Sequence, residues 1–163
     1  VKGKTVLDAG CGTGAMTREL ADRGAEVVAC DISPALINIA ETRLPERLKG
    51  HVRFEACDML QTNLGAFDHV VAMDSLIYYG KSDLERAIDT MAARTSESLV
   101  FTLAPRTPFL MAFWGAGRLF PRKDRSPTMI PQHTTRLTVA GKTRRVERVT
   151  SGFYISECME VRL

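Results

Sequence analysis

Apolar and polar positions follow two rhythms along this chain. From Thr5 to Ala104, short, mostly apolar runs alternate with stretches of helical spacing. The first run, Thr5–Ala9 (TVLDA), ends in a glycine-rich turn and predicts a buried strand. Ala15–Arg23 then has helical spacing and stops at Gly24. Glu26–Cys30 (EVVAC) predicts the second strand. Ser33 and Pro34 supply an N-cap and a proline for the first turn, so a helix is expected over Ala35–Arg43. Further strands are expected at His51–Ala56, Phe67–Met73 and Ser98–Ala104. Ser82 reads as the cap of a helix over Asp83–Arg94, with Glu85 in the capping-box position.

The second rhythm closes the chain. Thr143–Thr150 (TRRVERVT) and Phe153–Val161 (FYISECMEV) are strand-like runs joined at Ser151-Gly152, the pattern of an antiparallel hairpin at a sheet edge. Five strands alternating with helices, followed by this pair, predict an α/β fold with a doubly wound, mostly parallel, seven-stranded sheet. With 163 residues and no repeat, low-complexity run or linker, residues 1–163 read as one domain.

Charge narrows the choice of partners. Lysine and arginine number 22 against 19 acids, a net charge of +3, too mild for a protein that coats nucleic acid; no nucleic-acid partner is expected. The acids concentrate before residue 100, whereas Arg106, Arg118, Arg122, Lys123, Arg125, Arg136, Lys142, Arg144 and Arg145 follow it. The C-terminal half thus suits an acidic ligand or an anionic membrane surface, with a solvated basic face as the alternative. Cys11, Cys30, Cys57 and Cys158 are far apart and form no CxxC pair, so neither a metal site nor a disulfide framework is expected, and a reducing cytoplasm fits. No apolar run approaches the roughly 20 residues that span a bilayer. The chain opens at Val1 without an initiator methionine, which leaves a removed targeting segment or N-terminal extension open.

The sharpest local signal is VLDAGCGTG, Val6–Gly14. Gly10, Gly12 and Gly14 stand between a buried strand and a helix, where glycine lets the backbone approach a ligand and leaves the helix N-terminus open. Their spacing is GxGxG, not the GxGxxG of dinucleotide oxidoreductases. Asp31 ends the second strand, 21 positions after Gly10, where a carboxylate can accept both hydroxyls of a ribose. Asp58, with Met59, closes the third strand, where it can receive an adenine amino group. A nucleotide-free α/β domain with a tight glycine turn is the rival reading.

From Val6 through the terminal hairpin, these residues resemble the class I S-adenosylmethionine-dependent methyltransferases, which have a Rossmann-like fold. The resemblance implies S-adenosylmethionine as cofactor, with Asp8 close to its methionine end. Gly10, Cys11, Gly12 and Gly14 would pack beneath it, Asp31 and Ile32 would meet the ribose, and Asp58 and Met59 the adenine. Met73 and Asp74, closing the fourth strand, would line the cofactor and acceptor pocket.

A second set of residues is more specific. APRTPFLMAFWGAGRLFPRKDRSP at 104–127, with MIP at Met129–Pro131, MDSLIYY at Met73–Tyr79 and SGFYISECMEV at Ser151–Val161, closely resembles the magnesium protoporphyrin IX O-methyltransferase family of chlorophyll and bacteriochlorophyll synthesis. The resemblance implies methyl transfer to a propionate of magnesium protoporphyrin IX, with Asp74 and Tyr78 nearest the reaction. It also implies contact with a membrane periphery and hand-over of the porphyrin from magnesium chelatase. The acceptor is a flat apolar plate with two propionates on one edge. Phe109, Leu110, Met111, Phe113 and Trp114 offer an apolar surface for the plate, beside Tyr78 and Tyr79. Arg106, Arg118, Arg122, Lys123 and Arg125 offer cations for the propionates, guanidinium forks matching carboxylates well. The plainer reading is a core-facing amphipathic helix with a solvated cationic rim.

Three features depart from the family pattern. Tyr78 stands where the family carries histidine, and a tyrosine hydroxyl orients a carboxylate but does not titrate near neutrality. The chain begins at the first strand, whereas family members carry helical segments before it, so an N-terminal cap segment is expected to be missing. The span from Pro131 to Thr143 is short for the helix that precedes the family's terminal hairpin. Other readings remain: the same cofactor site serving another carboxylate or a phenol, a cofactor- or porphyrin-binding module without turnover, and an RNA methyltransferase. The last is disfavoured because the fourth strand lacks a (D/N)PPY-type motif.

Overall fold

Among the described residues, the strands run in the order β3-β2-β1-β4-β5-β7-β6 in one seven-stranded sheet. They are β1 (Thr5–Ala9), β2 (Glu26–Asp31), β3 (Val52–Ala56), β4 (Phe67–Ala72), β5 (Thr95–Leu103), β6 (Thr143–Ser151) and β7 (Tyr154–Arg162). The computed structural model describes residues 1–108, 111, 115, 129–134, 137–139, 141, 143–151 and 154–163. β1 to β5 are mutually parallel, and β7 lies antiparallel between β5 and the edge strand β6. This is the doubly wound sheet with a C-terminal hairpin that the apolar rhythm predicts.

Alternate side chains of a strand face opposite ways, and β1 shows the consequence. Val6 packs with Leu20, Ala21, Val27 and Ile37 beneath α1 (Ala15–Asp22) and α2 (Pro34–Arg43). Leu7 packs with Val70, Leu84, Ile88 and Phe101 beneath α3 (Lys81–Ala92). Sheet order reverses at β1 and β4: from β1 the chain winds out through β2 and β3, and from β4 through β5. In such sheets a crevice opens beyond the carboxyl ends of the strands at this point, and ligands bind there.

The α2 cap is as expected, the Ser33 hydroxyl accepting from the Leu36 N–H at 3.4 Å with Pro34 in the first turn. The α3 cap is not. α3 starts at Lys81 after Gly80, no side chain caps it, and Ser82 lies inside the first turn. Glu85 is drawn elsewhere: its carboxylate accepts from the Thr138 N–H at 2.8 Å and lies 3.7 Å from the Lys81 ammonium. A long-range backbone donor has displaced the local one. β5 begins three residues earlier than its apolar run, because Thr95 pairs with Phe67 while the polar side chains of Ser96 and Glu97 stay exposed. His51 ends a 3-10 turn over Glu46–His51 and does not open β3.

Candidate active site

A cavity of about 850 Å³ opens beyond the carboxyl ends of β1, β2 and β4. Its lining includes Asp8, Gly10, Cys11, Gly12, Asp31, Ile32, Asp58, Met59, Met73, Asp74, Tyr78 and Tyr79, all drawn from the sequence as cofactor or acceptor contacts. The topology gathers positions up to 71 residues apart because they lie at or just beyond the carboxyl ends of the parallel strands, at one end of the sheet.

The glycine turn is held down from two sides. Gly10 and Cys11 both donate their N–H to the Cys30 carbonyl, at 2.8 and 2.9 Å. The Asp31 carboxylate accepts from the Gly12 N–H at 3.0 Å and from the Ser33 N–H at 2.9 Å, so it ties the turn to the start of α2 while lining the cavity. Gly10 has φ 81°, and a Cβ there would collide with that of Ser75, whose hydroxyl donates to the Ala9 carbonyl at 2.8 Å. Gly14 does not line the cavity. It precedes α1 with φ 81°, and a Cβ would sit 2.9 Å from Cβ of Ala40. Its lack of a side chain serves the approach of α1 to α2.

Asp8 lies on the cavity floor, only 1% exposed. Burial pushes its pKa up to about 6, against the opposing effect of the Thr17 hydroxyl and backbone N–H, and the Asp31 charge adds slightly to the rise. A folded pKa above the unfolded 3.8 means that Asp8 favours the fold most when protonated and loses that contribution as pH rises through about 6. A cation placed beside it reverses the preference. Binding of an ammonium-bearing ligand should therefore weaken as pH falls through about 6, by up to about tenfold per pH unit. Calorimetric titration with S-adenosylhomocysteine between about pH 7.5 and about pH 5 checks this, and Asp8→Asn should flatten the dependence. The Cys11 and Cys30 thiols are pushed up to about 12, chiefly by burial, and stay protonated.

Asp58 lies two residues beyond β3, not at its end. Its carboxylate accepts from the Leu60 N–H at 2.9 Å, and its carbonyl from the Gln61 N–H at 3.0 Å, so it sits in a turn of its own making. The Arg94 guanidinium donates to the Met59 and Gln61 carbonyls and pins that turn to the end of α3. Burial holds the Arg94 pKa below its usual value.

Tyr78 ends a short 3-10 turn (Leu76–Tyr78), Tyr79 follows it, and both also border a second hollow of about 290 Å³ with Leu60, Asp83 and Arg86. Tyr78 is 43% exposed, and burial together with Asp58 and Asp83 raises the Tyr79 pKa. Arg106 is exposed just past β5, outside the cavity lining, and its N–H donates to the Gln132 carbonyl at 3.0 Å. Phe109, Phe113, Trp114, Arg118, Arg122 and Arg125 lie outside the described residues.

Gln132 was not legible as a site residue. It is buried, its N–H donates to the Ala104 carbonyl at 2.8 Å, and its side-chain amide donates to the Tyr79 carbonyl at 3.0 Å. The Ile130 N–H reaches the Ile77 carbonyl at 2.8 Å. Residues 130–132 thus strap the tyrosine turn to the end of β5. Gln132→Leu should cost about 1–3 kcal/mol by leaving the Tyr79 carbonyl short of a partner, read as a lowered Tm.

Comparison with known proteins places this cavity in a family. A model of the magnesium-protoporphyrin IX methyltransferase C-terminus matches residues 72–163, and a general methyltransferase-domain model matches residues 6–97. A magnesium-protoporphyrin O-methyltransferase of Rhodobacter capsulatus is 55% identical over 98% of this chain. The chain belongs to the magnesium-protoporphyrin IX methyltransferase family. It spans 72% of the length of the Rhodobacter relative. Of the chloroplastic magnesium protoporphyrin IX methyltransferase of Arabidopsis thaliana, which is 36% identical over 73% of this chain, it spans 38%. The crystal structure of the Synechocystis magnesium protoporphyrin IX methyltransferase with bound S-adenosylhomocysteine superposes with a TM-score of 0.81 at 27% identity. That match covers 99% of this chain and 74% of the other. The class I methyltransferase fold implied by the resemblance of the glycine turn and the strand-end acids is therefore the fold of this family member.

Proposed function

We propose that this chain transfers the methyl group of S-adenosylmethionine to one propionate carboxylate of magnesium protoporphyrin IX, giving the monomethyl ester used in chlorophyll or bacteriochlorophyll synthesis. The observation that carries the proposal is one cavity that gathers Asp8, Asp31 and Asp58 beside Tyr78 and Tyr79, in a member of this family. The cavity suits the cofactor. Gly10 and Gly12 leave their side of the wall free of side chains, Asp31 offers a carboxylate for two ribose hydroxyls, and Asp8 offers one to the cationic methionine end. Ile32, a large apolar side chain left 79% exposed on the cavity lining, suits a flat apolar neighbour beside Met59.

When bound, the cofactor supplies an electrophilic methyl group on a sulfonium. The chain's own task is positional. A propionate with a pKa near 4.3, like that of glutamate, is already ionised at neutral pH, so no strong general base is required. Tyr78 and Tyr79 stand at the acceptor side of the cavity, where a phenol donates a hydrogen bond to a carboxylate and keeps its own proton. Holding the reacting oxygen in line and stripping its water is a proximity and desolvation effect. A guanidinium gripping that same oxygen would lower its nucleophilicity. Arg106, Arg118, Arg122 and Arg125 are therefore assigned to the other propionate or to the non-reacting oxygen, and Phe109, Phe113 and Trp114 to the macrocycle face. The family resemblance in the 104–127 segment supports these assignments. Reception of the porphyrin from magnesium chelatase and contact with a membrane surface rest on that resemblance too. No helix among the described residues is long and apolar enough to cross a membrane.

The proposal is tested by absorbance titration with magnesium protoporphyrin IX, using Arg122→Glu with Arg125→Glu and, separately, Tyr78→Phe. The double reversal should weaken porphyrin binding by about tenfold or more, the scale of lost charge-assisted hydrogen bonds. Tyr78→Phe should lower turnover more than porphyrin affinity. Unchanged affinity in the double reversal would remove the propionate role from these arginines.

A further inference from the structure

Asp74 has φ 54°, and among the described residues it is the only non-glycine residue in the left-handed region. A side chain with a Cβ adopts that conformation under strain, and such strain persists where surrounding contacts over-determine it. A side chain on the neighbouring strand contacts Asp74 twice. Thr102 of β5 is 2% exposed, and its hydroxyl oxygen accepts the Asp74 backbone N–H at 2.7 Å. The same hydroxyl donates its proton to Asp74 Oδ1 at 2.9 Å. A threonine hydroxyl has one proton, and here it is committed to the carboxylate while a lone pair holds the backbone. Valine has nearly the same shape and can do neither.

We propose that Thr102 is a positioning residue of the methyl-transfer site, holding Asp74 in its left-handed conformation and fixing the rotation of its carboxylate against the cavity. The register supports this: β4 and β5 are paired to Ala72↔Phe101, so Thr102 comes one step past the last ladder pair, level with the start of the turn. That turn goes on to Ser75, which closes over Gly10, and then to Tyr78 and Tyr79. Its first strained residue thus sets the course of a segment that lines the cavity from the cofactor turn to the acceptor side. The inference rests on reading the cavity as the cofactor site.

The test uses Thr102→Val and Thr102→Ser in the whole chain, with S-adenosylhomocysteine affinity by calorimetry and methyl transfer as separate readouts. Thr102→Val should weaken affinity and lower kcat/KM by about tenfold each, whereas Thr102→Ser, which keeps the hydroxyl, should stay within about threefold of the parent. A double-mutant cycle separates positioning from packing. In an Asp74→Gly background, where glycine takes positive φ freely, Thr102→Val should cause no further loss. The proposal is overturned if Thr102→Val keeps both readouts within about twofold, or if its loss recurs undiminished with Asp74→Gly. Should Thr102→Val not fold, Thr102→Cys, whose thiol donates and accepts only weakly, carries the same comparison. If the parent binds S-adenosylhomocysteine yet transfers no methyl group, the functional reading fails while the binding arm still decides on Thr102.

Discussion

Gly10→Ala is expected to weaken cofactor binding severely and to lower the Tm markedly. Two costs add at this position. At φ 81° an alanine takes on left-handed strain of about 1–2 kcal/mol, and its Cβ collides with Cβ of Ser75. Ser75 cannot retreat freely, because its hydroxyl is bonded to the Ala9 carbonyl at 2.8 Å and its neighbour Asp74 is bonded to Thr102. Relief must come from the glycine turn itself, whose N–H groups at Gly10 and Cys11 share the Cys30 carbonyl. Moving that turn moves the cavity floor. Calorimetry should show S-adenosylhomocysteine affinity down by about a hundredfold or more, which is about 2.7 kcal/mol. Gly12→Ala is the control: a Cβ there meets nothing within 4 Å, so φ 53° strain alone applies and the Tm should fall less. Equal effects at both positions would mean that the Ser75 contact does not matter.

Asp31→Ala should be nearly as damaging, for a different reason. Its carboxylate already accepts from the Gly12 and Ser33 N–H groups, and the ribose hydroxyls of the cofactor would be further donors on the cavity side. Removing it unties the glycine turn from α2 and takes away two charge-assisted hydrogen bonds at about 1.5–3 kcal/mol each. A loss of about a hundredfold or more in cofactor affinity is expected, measured by the same titration. Asp31→Asn keeps one acceptor oxygen and should lie between the parent and alanine. An Asp31→Ala variant that binds within about threefold of the parent would show that this carboxylate does not meet the ribose.

What was legible in the sequence was what local chemistry marks. The apolar runs located all seven strands found among the described residues, and Ser33-Pro34 marked the α2 start because that cap is made within one turn. The acids at Asp8, Asp31 and Asp74 could be read because each follows a buried run, which in a parallel sheet delivers it to the same end. Illegible parts depend on partners far away in the chain. Glu85 leaves its expected capping role for the Thr138 N–H, 53 positions on. Gly14 also has Ala40 on α2 as a close neighbour, which only the packed fold reveals. Thr102 sits in SLVFTLA as one more strand residue, and nothing nearby signals that its hydroxyl serves Asp74, 28 positions earlier. Gln132 is equally silent, since its partner is a backbone carbonyl.

Methyl transfer itself is the most direct test of this account. The protein would be incubated with S-adenosylmethionine labelled in the methyl group and with magnesium protoporphyrin IX, and the porphyrin separated and analysed by mass spectrometry. Label is expected in a monomethyl ester, none when both propionates are already esterified, and loss of product with Asp31→Ala. Cofactor binding with no label in the porphyrin, or equal labelling of the blocked diester, would contradict it.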